Sequence, residues 1–140
     1  MTGIYYLAEA FDCGVIIKTW LARAALCTFM GFVELKNARL GENTQVPHLA
    51  YLGDTEAGAN CNFGCGVTTA NFDRVQKHET VVGEGAFIGC NTALIAPLQV
   101  GSGAYIGAGS TITEDVPAQA LGIARARQSN KKEWAAKHKK

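Results

Sequence analysis

The sequence predicts an all-β solenoid, a parallel β-helix of hexapeptide repeats, on three observations. Six apolar residues, Val82, Ile88, Leu94, Val100, Ile106 and Ile112, recur at intervals of six. Glycine follows four of them, at positions 83, 89, 101 and 107. The chain of 140 residues also holds 16 glycines, a burden for helices but suited to a chain that turns tightly and often. Six is even, so a strand of period two returns each apolar side chain to the same face in every repeat, which a helical period cannot do.

Residues 1–30 stand outside this rhythm. Ile4-Tyr-Tyr-Leu-Ala-Glu-Ala10 and Val15-Ile-Ile-Lys-Thr-Trp-Leu-Ala-Arg-Ala-Ala-Leu26 fit one or two helices, an N-terminal segment expected to cap the first coil. It is expected to be neither a secretory signal, since its first charges are Glu9 and Asp12, nor a membrane span, since Gly14 to Val33 holds two charges in twenty residues.

The β-helix is expected over 31–122. Leu40-Gly41, Val46-Pro47 and Leu52-Gly53 keep the interval of six, and Ala57-Gly58, Phe63-Gly64 and Thr69 continue it in a register shifted by one. About four triangular coils of three hexads each fit between residues 31 and 116. Thr69 and Val82 stand 13 apart where six or twelve is expected, so 70–80 reads as a loop extruded from the coil, the kind of segment that carries function in solenoids.

With 48% hydrophobic and 18% charged residues the chain has the composition of one ordinary globular domain, neither disordered nor membrane-spanning. Five cysteines, Cys13, Cys27, Cys61, Cys65 and Cys90, form an odd set without disulfide spacing, as expected of reduced thiols in the cytoplasm. Cys61 and Cys65 fall on different corners of a hexad coil and so read as small hydrophobes rather than as a metal pair. Residues 123–140 carry seven Lys or Arg against one acid, a net +6, leaving −5 for the rest. This basic C-terminal tail reads as solvated. With only Trp134 interleaved among its charges it does not read as a nucleic-acid site, whereas Arg125 and Arg127, just after the last coil, are placed to face a phosphorylated ligand.

Three stretches carry a more specific signal: Phe32-Val-Glu-Leu-Lys-Asn-Ala-Arg-Leu-Gly41, Pro47-His-Leu-Ala-Tyr-Leu-Gly-Asp54 and Asn71-Phe-Asp-Arg-Val-Gln-Lys77. Together with Gly109-Ser-Thr-Ile-Thr-Glu-Asp-Val-Pro117 and Ile123-Ala-Arg-Ala-Arg127, they resemble the acetyltransferase domain of the bacterial bifunctional N-acetylglucosamine-1-phosphate uridyltransferase and glucosamine-1-phosphate acetyltransferase. The resemblance covers residues 31 to about 134. It implies a left-handed parallel β-helix, a homotrimer, and acetyl transfer from acetyl-coenzyme A to the amine of a sugar phosphate at subunit boundaries. It does not extend to a uridyltransferase domain, so no nucleotide transfer is expected of this chain. Nor does it supply the upstream coil whose arginine binds the sugar phosphate in the family; Lys18 and Arg23 are the cations available there.

An amino sugar arriving as an ammonium must lose a proton before it can attack, and histidine is the side chain suited to that near neutral pH. His48, after the stiffening Pro47, is the candidate base. By resemblance Glu34 pairs with it, Lys36, Tyr51 and Lys77 hold the substrate phosphate, and Asn62 and Asn71 bind the sugar, Asn71 also orienting the amine. The backbone N–H of Cys65 would receive the developing oxyanion. Phe72, Cys90, Ala108 and Arg125 would bind the coenzyme. Phe72, Cys65 and Cys90 replace the family's usual tyrosine, alanine and serine, and the two hydroxyls lost at 72 and 90 are worth on the order of 1 kcal/mol each.

Two other readings stay open from the sequence. A shortened, catalytically weak hexapeptide trimer acting as a binding or assembly module is favoured by the atypical first 30 residues. A metalloenzyme of the carbonic anhydrase type needs three clustered histidines, and the three present are His48, His78 and His138, the last in the basic tail, so no metal is expected.

Overall fold

The structure, a computed structural model, describes residues 32–138. The chain winds through three parallel sheets in turn. The first coil contains β1 (Glu34–Lys36), β2 (Arg39–Leu40) and a bridge at Gln45; the second, β3 (Tyr51–Gly53), β4 (Thr55–Ala57) and β5 (Asn62–Phe63). The third contains β6 (Thr68–Ala70), β7 (Thr80–Val82) and β8 (Phe87–Ile88); the fourth, β9 (Ala93–Ile95), β10 (Leu98–Val100) and β11 (Tyr105–Ile106). A fifth follows with β12 (Thr111–Ile112), a bridge from Val116 to Val100, and β13 (Leu121–Gly122). The expectation of about four coils ending near 116 is therefore short by one, because β13 pairs with β11 through Tyr105 and Leu121. The sequence hides this coil because its last inward position is Gly122 rather than an aliphatic residue.

The first sheet stacks β1, β3, β6, β9 and β12, the second β2, β4, β7 and β10, and the third β5, β8, β11 and β13. Leu52, Phe63, Ile88, Leu94 and Ile106 point into the prism and are fully buried. Each such side chain contributes about 1.5–3 kcal/mol through the area it removes from water. Threonines 55, 69 and 80 are buried beside them; among the described residues, the Thr80 Oγ1 is the one buried side-chain oxygen or nitrogen without a hydrogen-bond partner.

Every irregularity in the hexad falls at one corner, where the first sheet turns into the second. Leu35 to Leu40 and Leu52 to Ala57 are five residues apart, each side turning through a single residue of positive φ, Asn37 at 52° and Asp54 at 46°. This five-residue side is the physical origin of the one-residue register shift in the sequence. In the third coil the same corner holds the extruded loop, which spans 71–79 because Ala70 and Thr80 belong to β6 and β7. At the other two corners the interval of six is kept, and turns such as Val67 N to Gly64 O (3.3 Å) and Ala104 N to Gly101 O (3.1 Å) repeat from coil to coil. A constant interval makes these corners straight columns.

The expected N-terminal cap, with Lys18, Arg23, Cys13 and Cys27, lies outside the described residues. In the tail, the Thr111 N–H donates to Ala124 O (3.0 Å). Beyond it a four-residue helix, α1 (Trp134–Lys137), stacks Trp134 on His138 with ring centroids 4.2 Å apart.

Candidate functional site

The corner between the third and first sheets carries five of the twelve residues singled out from the sequence, His48, Cys65, Cys90, Ala108 and Arg125. Phe63, Ile88 and Ile106 are aligned across β5, β8 and β11, so two residues further along the chain Cys65, Cys90 and Ala108 stand one above another. The bridge between Gln45 and Asn62 extends the same column up to His48. Backbone bonds hold it: Gly66 N to Leu49 O (3.1 Å), Asn91 N to Cys65 O (2.8 Å) and Gly109 N to Cys90 O (2.8 Å). At its lower end the Arg125 Cδ lies 3.9 Å from where a β-carbon on Gly109 would stand. Strands in a sheet are about 4.8 Å apart, so the column from His48 to Ala108 is roughly 14 Å long.

The His48 side chain is exposed at the top of this column. The turn from Gly64 to Val67 places Cys65 at its second position and Gly66, with φ of 77°, at its third. The Cys65 N–H consequently points out of the turn, and no acceptor among the described residues takes it. Cys90 and Ala108 are exposed on the same edge. The reading of Cys61 and Cys65 as small hydrophobes holds for Cys61, which is buried and whose thiol pKa burial pushes up, whereas Cys65 is half-buried.

The outer face of the first sheet adjoins the column. Glu34 pairs in register with Tyr51 and Lys36 with Gly53. Gly53 is the centre of this face: a β-carbon there would lie 2.5 Å from the Tyr51 hydroxyl and 2.6 Å from Asn71 Nδ2. The missing side chain thus lets a phenol and an amide converge beside the strand that carries Lys36. Gly53 is itself pinned from within, its N–H donating to Thr69 Oγ1 (2.7 Å) and its carbonyl accepting from Thr55 Oγ1 (3.0 Å).

Asn71 forms the base of the extruded loop. Its side-chain Nδ2 donates to Asp54 Oδ2, and its carbonyl accepts the His78 N–H at 2.8 Å. Further out, Phe72 bridges antiparallel to Lys77. Asp73 closes the tip: its Oδ1 accepts the N–H groups of Val75 and Gln76, both at 2.8 Å, and its Oδ2 lies 2.7 Å from His78 Nε2. These contacts, the Gln76 N–H foremost and then the His78 ring, hold the Asp73 carboxyl well below the usual carboxylate range. The loop is a closed hairpin that presents Phe72 at 60% exposure and Val75 at 87%.

Within one protomer, then, the structure gathers Lys36, Tyr51 and Asn71 around Gly53, and lines up His48, Cys65, Cys90, Ala108 and Arg125 along the corner. It does not bring Phe72 to the other expected coenzyme residues, Cys90, Ala108 and Arg125: β6 runs from the Cys65 corner to Asn71, so Phe72, with the phosphate candidate Lys77, sits at the opposite edge of the sheet. Asn62 is on the outer face of the third sheet, in register with Phe87. Neither His48 nor Glu34 forms a side-chain hydrogen bond with a described residue. Sequence reasoning missed Gly53, Asp54 and the pairing of Asp73 with His78. The signal for Asp54 was present, an Asp at the very point where the register slips, since Asp tolerates the left-handed turn such a slip requires.

Residues 79–114 match the family described as bacterial transferase hexapeptide (six repeats). The chain is 58% identical over 103 residues to a bifunctional protein GlmU from Bacillus caldolyticus, covering 74% of this chain and 89% of that relative. It is 57% identical over 108 residues to the bifunctional protein GlmU of Caldicellulosiruptor saccharolyticus, covering 77% of this chain but 23% of the relative, so the chain spans about a quarter of that protein's length. Among solved structures it is similar to the serine acetyltransferase of Neisseria gonorrhoeae, with a TM-score of 0.57, 25% identity, and coverage of 77% of this chain and 45% of that one.

Proposed function

The chain belongs to the family of the bifunctional protein GlmU, and from that premise we propose that it is an N-acetyltransferase that moves an acetyl group from acetyl-coenzyme A to glucosamine 1-phosphate or a related amino-sugar phosphate. The observation that carries the reading is the column from His48 through Cys65, Cys90 and Ala108 to Arg125 along one edge of the first sheet, with Lys36, Tyr51 and Asn71 gathered around Gly53 on that sheet's outer face.

The chemistry assigns each end of this arrangement a task. Lys36 and the Tyr51 hydroxyl give a phosphate dianion an ammonium and a donor, with Lys77 as a second cation from the loop and Asn62 as a further sugar contact. His48 takes a proton from the substrate ammonium, and Glu34 supports the charged imidazole. The free amine attacks the thioester carbon, the C–N bond forms, and the carbonyl oxygen becomes an oxyanion received by the Cys65 N–H. Collapse breaks the C–S bond and the coenzyme thiolate leaves, taking up the proton from the imidazolium. The neutral His48 ring then accepts the second proton of the acylated nitrogen and passes it to water, leaving the amide. Cys90 and Ala108 let the elongated cosubstrate approach the corner, and Arg125 meets one of its phosphates.

The two halves of the site lie at opposite edges of one sheet, and we assign their union to a homotrimer, in which the loop of one protomer, with Asn71, Phe72 and Lys77, closes over the column of the next. Exposed Leu49, Phe72 and Val75 at these edges are the apolar contacts such packing needs. This reading places the protein in the cytoplasm, in the supply of cell-wall amino sugars.

Thiol release from acetyl-coenzyme A tests the substrate class. Release that depends on glucosamine 1-phosphate and is at least tenfold slower with glucosamine at equal concentration is expected, because Lys36, Tyr51 and Lys77 are given to a phosphate. Equal rates with the two sugars would contradict it.

A further inference from the structure

We infer that Asp54 is a positioning residue for the transfer, its carboxylate deciding which arm of the Asn71 amide faces the substrate; the inference rests on the acetyltransferase reading above.

Asp54 stands at the five-residue corner of the second coil and reaches one coil in each direction. Its Oδ1 accepts from Asn37 Nδ2 at 2.7 Å and its Oδ2 accepts from Asn71 Nδ2. A carboxylate has only lone pairs to offer, so both neighbouring amides must turn their NH2 groups toward it. The carbonyl arm of Asn71 is thereby turned away from Asp54. Asn71 is otherwise held fast: it is only 7% exposed, its backbone carbonyl accepts the His78 N–H, and the same Nδ2 that donates to Asp54 lies over Gly53 next to the Tyr51 hydroxyl. The bond from Asn37 occupies the second oxygen and keeps the carboxylate from rotating.

The consequence is a carbonyl acceptor fixed on the side of Asn71 away from Asp54. An amine carries N–H bonds and needs an acceptor to hold its lone pair on line for attack. An inverted Asn71 would present N–H to N–H and push the amine away. Asp54 touches neither substrate nor cosubstrate in this account and acts through Asn71 alone.

Two variants separate orientation from charge. Asp54→Gly tolerates the φ of 46° and deletes the acceptor. Asp54→Asn also suits that φ and deletes the charge, but keeps one carbonyl for Asn71, since exposed Asn37 is free to turn its own amide around. With glucosamine 1-phosphate and acetyl-coenzyme A, D54G is expected to lose about tenfold or more in kcat with KM for acetyl-coenzyme A within twofold, and D54N to stay within about threefold of wild type. Wild-type kcat in D54G, or a loss in D54N as large as that in D54G, overturns the inference. A wild-type chain that releases no thiol overturns the acetyltransferase reading itself and this inference with it, an outcome distinct from the other two. Should D54G not fold, the side-chain amide protons of Asn71 in the wild-type protein decide the matter: slow exchange supports the inference, and exchange as fast as that of exposed Asn43 overturns it.

Discussion

The Asn71 amide and the Tyr51 hydroxyl occupy the space that a side chain on Gly53 would fill, 2.6 Å and 2.5 Å from its missing β-carbon. Both are the free ends of side chains, so they would move before the backbone did. Gly53→Ala is therefore expected to lower kcat/KM by about tenfold or more while costing less than about 1 kcal/mol of stability. Thermal unfolding and kinetics measured on the same preparation check the pair of effects; a fall in stability without a change in activity would contradict the placement.

Cys65 offers a way to remove one atom. The second position of its turn suits proline, which has no N–H. Cys65→Pro is expected to fold normally and to lose roughly 10²-fold in kcat, whereas Cys65→Ala, which keeps the N–H, stays near wild type. Equal activity in the two variants would remove the backbone donor from the mechanism.

The loop tip is tied to the ionisation of Asp73. Its pKa is lowered in the folded chain from an ordinary value of 3.8, so the carboxylate's contribution is fully present above that value and is lost only as pH falls through the lower, folded one. Protection of the Val75 and Gln76 amides, measured against their intrinsic exchange rates, is accordingly expected to persist through pH 4 and to fall only in stronger acid, with Asp73→Ala unprotected at every pH. Loss of protection already at pH 5 would contradict the closed hairpin.

In the third coil Ile88 is fully buried between Phe63 and Ile106. Ile88→Ala is expected to cost about 2–5 kcal/mol in denaturant unfolding through the cavity it leaves. A loss below 1 kcal/mol would mean that the coils can close over the gap.

The sequence made the prism legible because an apolar residue at intervals of six has one economical solution, and Val82 through Ile112 obey it without a break. The straight corners were legible for the same reason, and Cys90 and Ala108, three hexads apart, fall into line from counting alone, whereas His48 and Cys65 join them only through the shorter side and the extruded loop. The variable corner was not. A hexad says nothing about how a side of five residues turns, so the partners that Asp54 finds in Asn37 and Asn71, each 17 residues away, required coordinates. The fifth coil was hidden by Gly122, which fills an inward position without an apolar signature. The hairpin of Asp73 and His78 was hidden because its bonds are local and owe nothing to the repeat.

In the proposed reaction His48, at the head of the corner column, drives transfer of an acetyl group to an amine. Incubation with carbon-labelled acetyl-coenzyme A and glucosamine 1-phosphate, followed by NMR of the sugar product, tests it directly. The wild-type protein should give a labelled acetyl group in amide linkage to the sugar nitrogen, with His48→Ala at least 10²-fold slower. No amide product from the wild-type protein, or equal product from both proteins, would contradict the account.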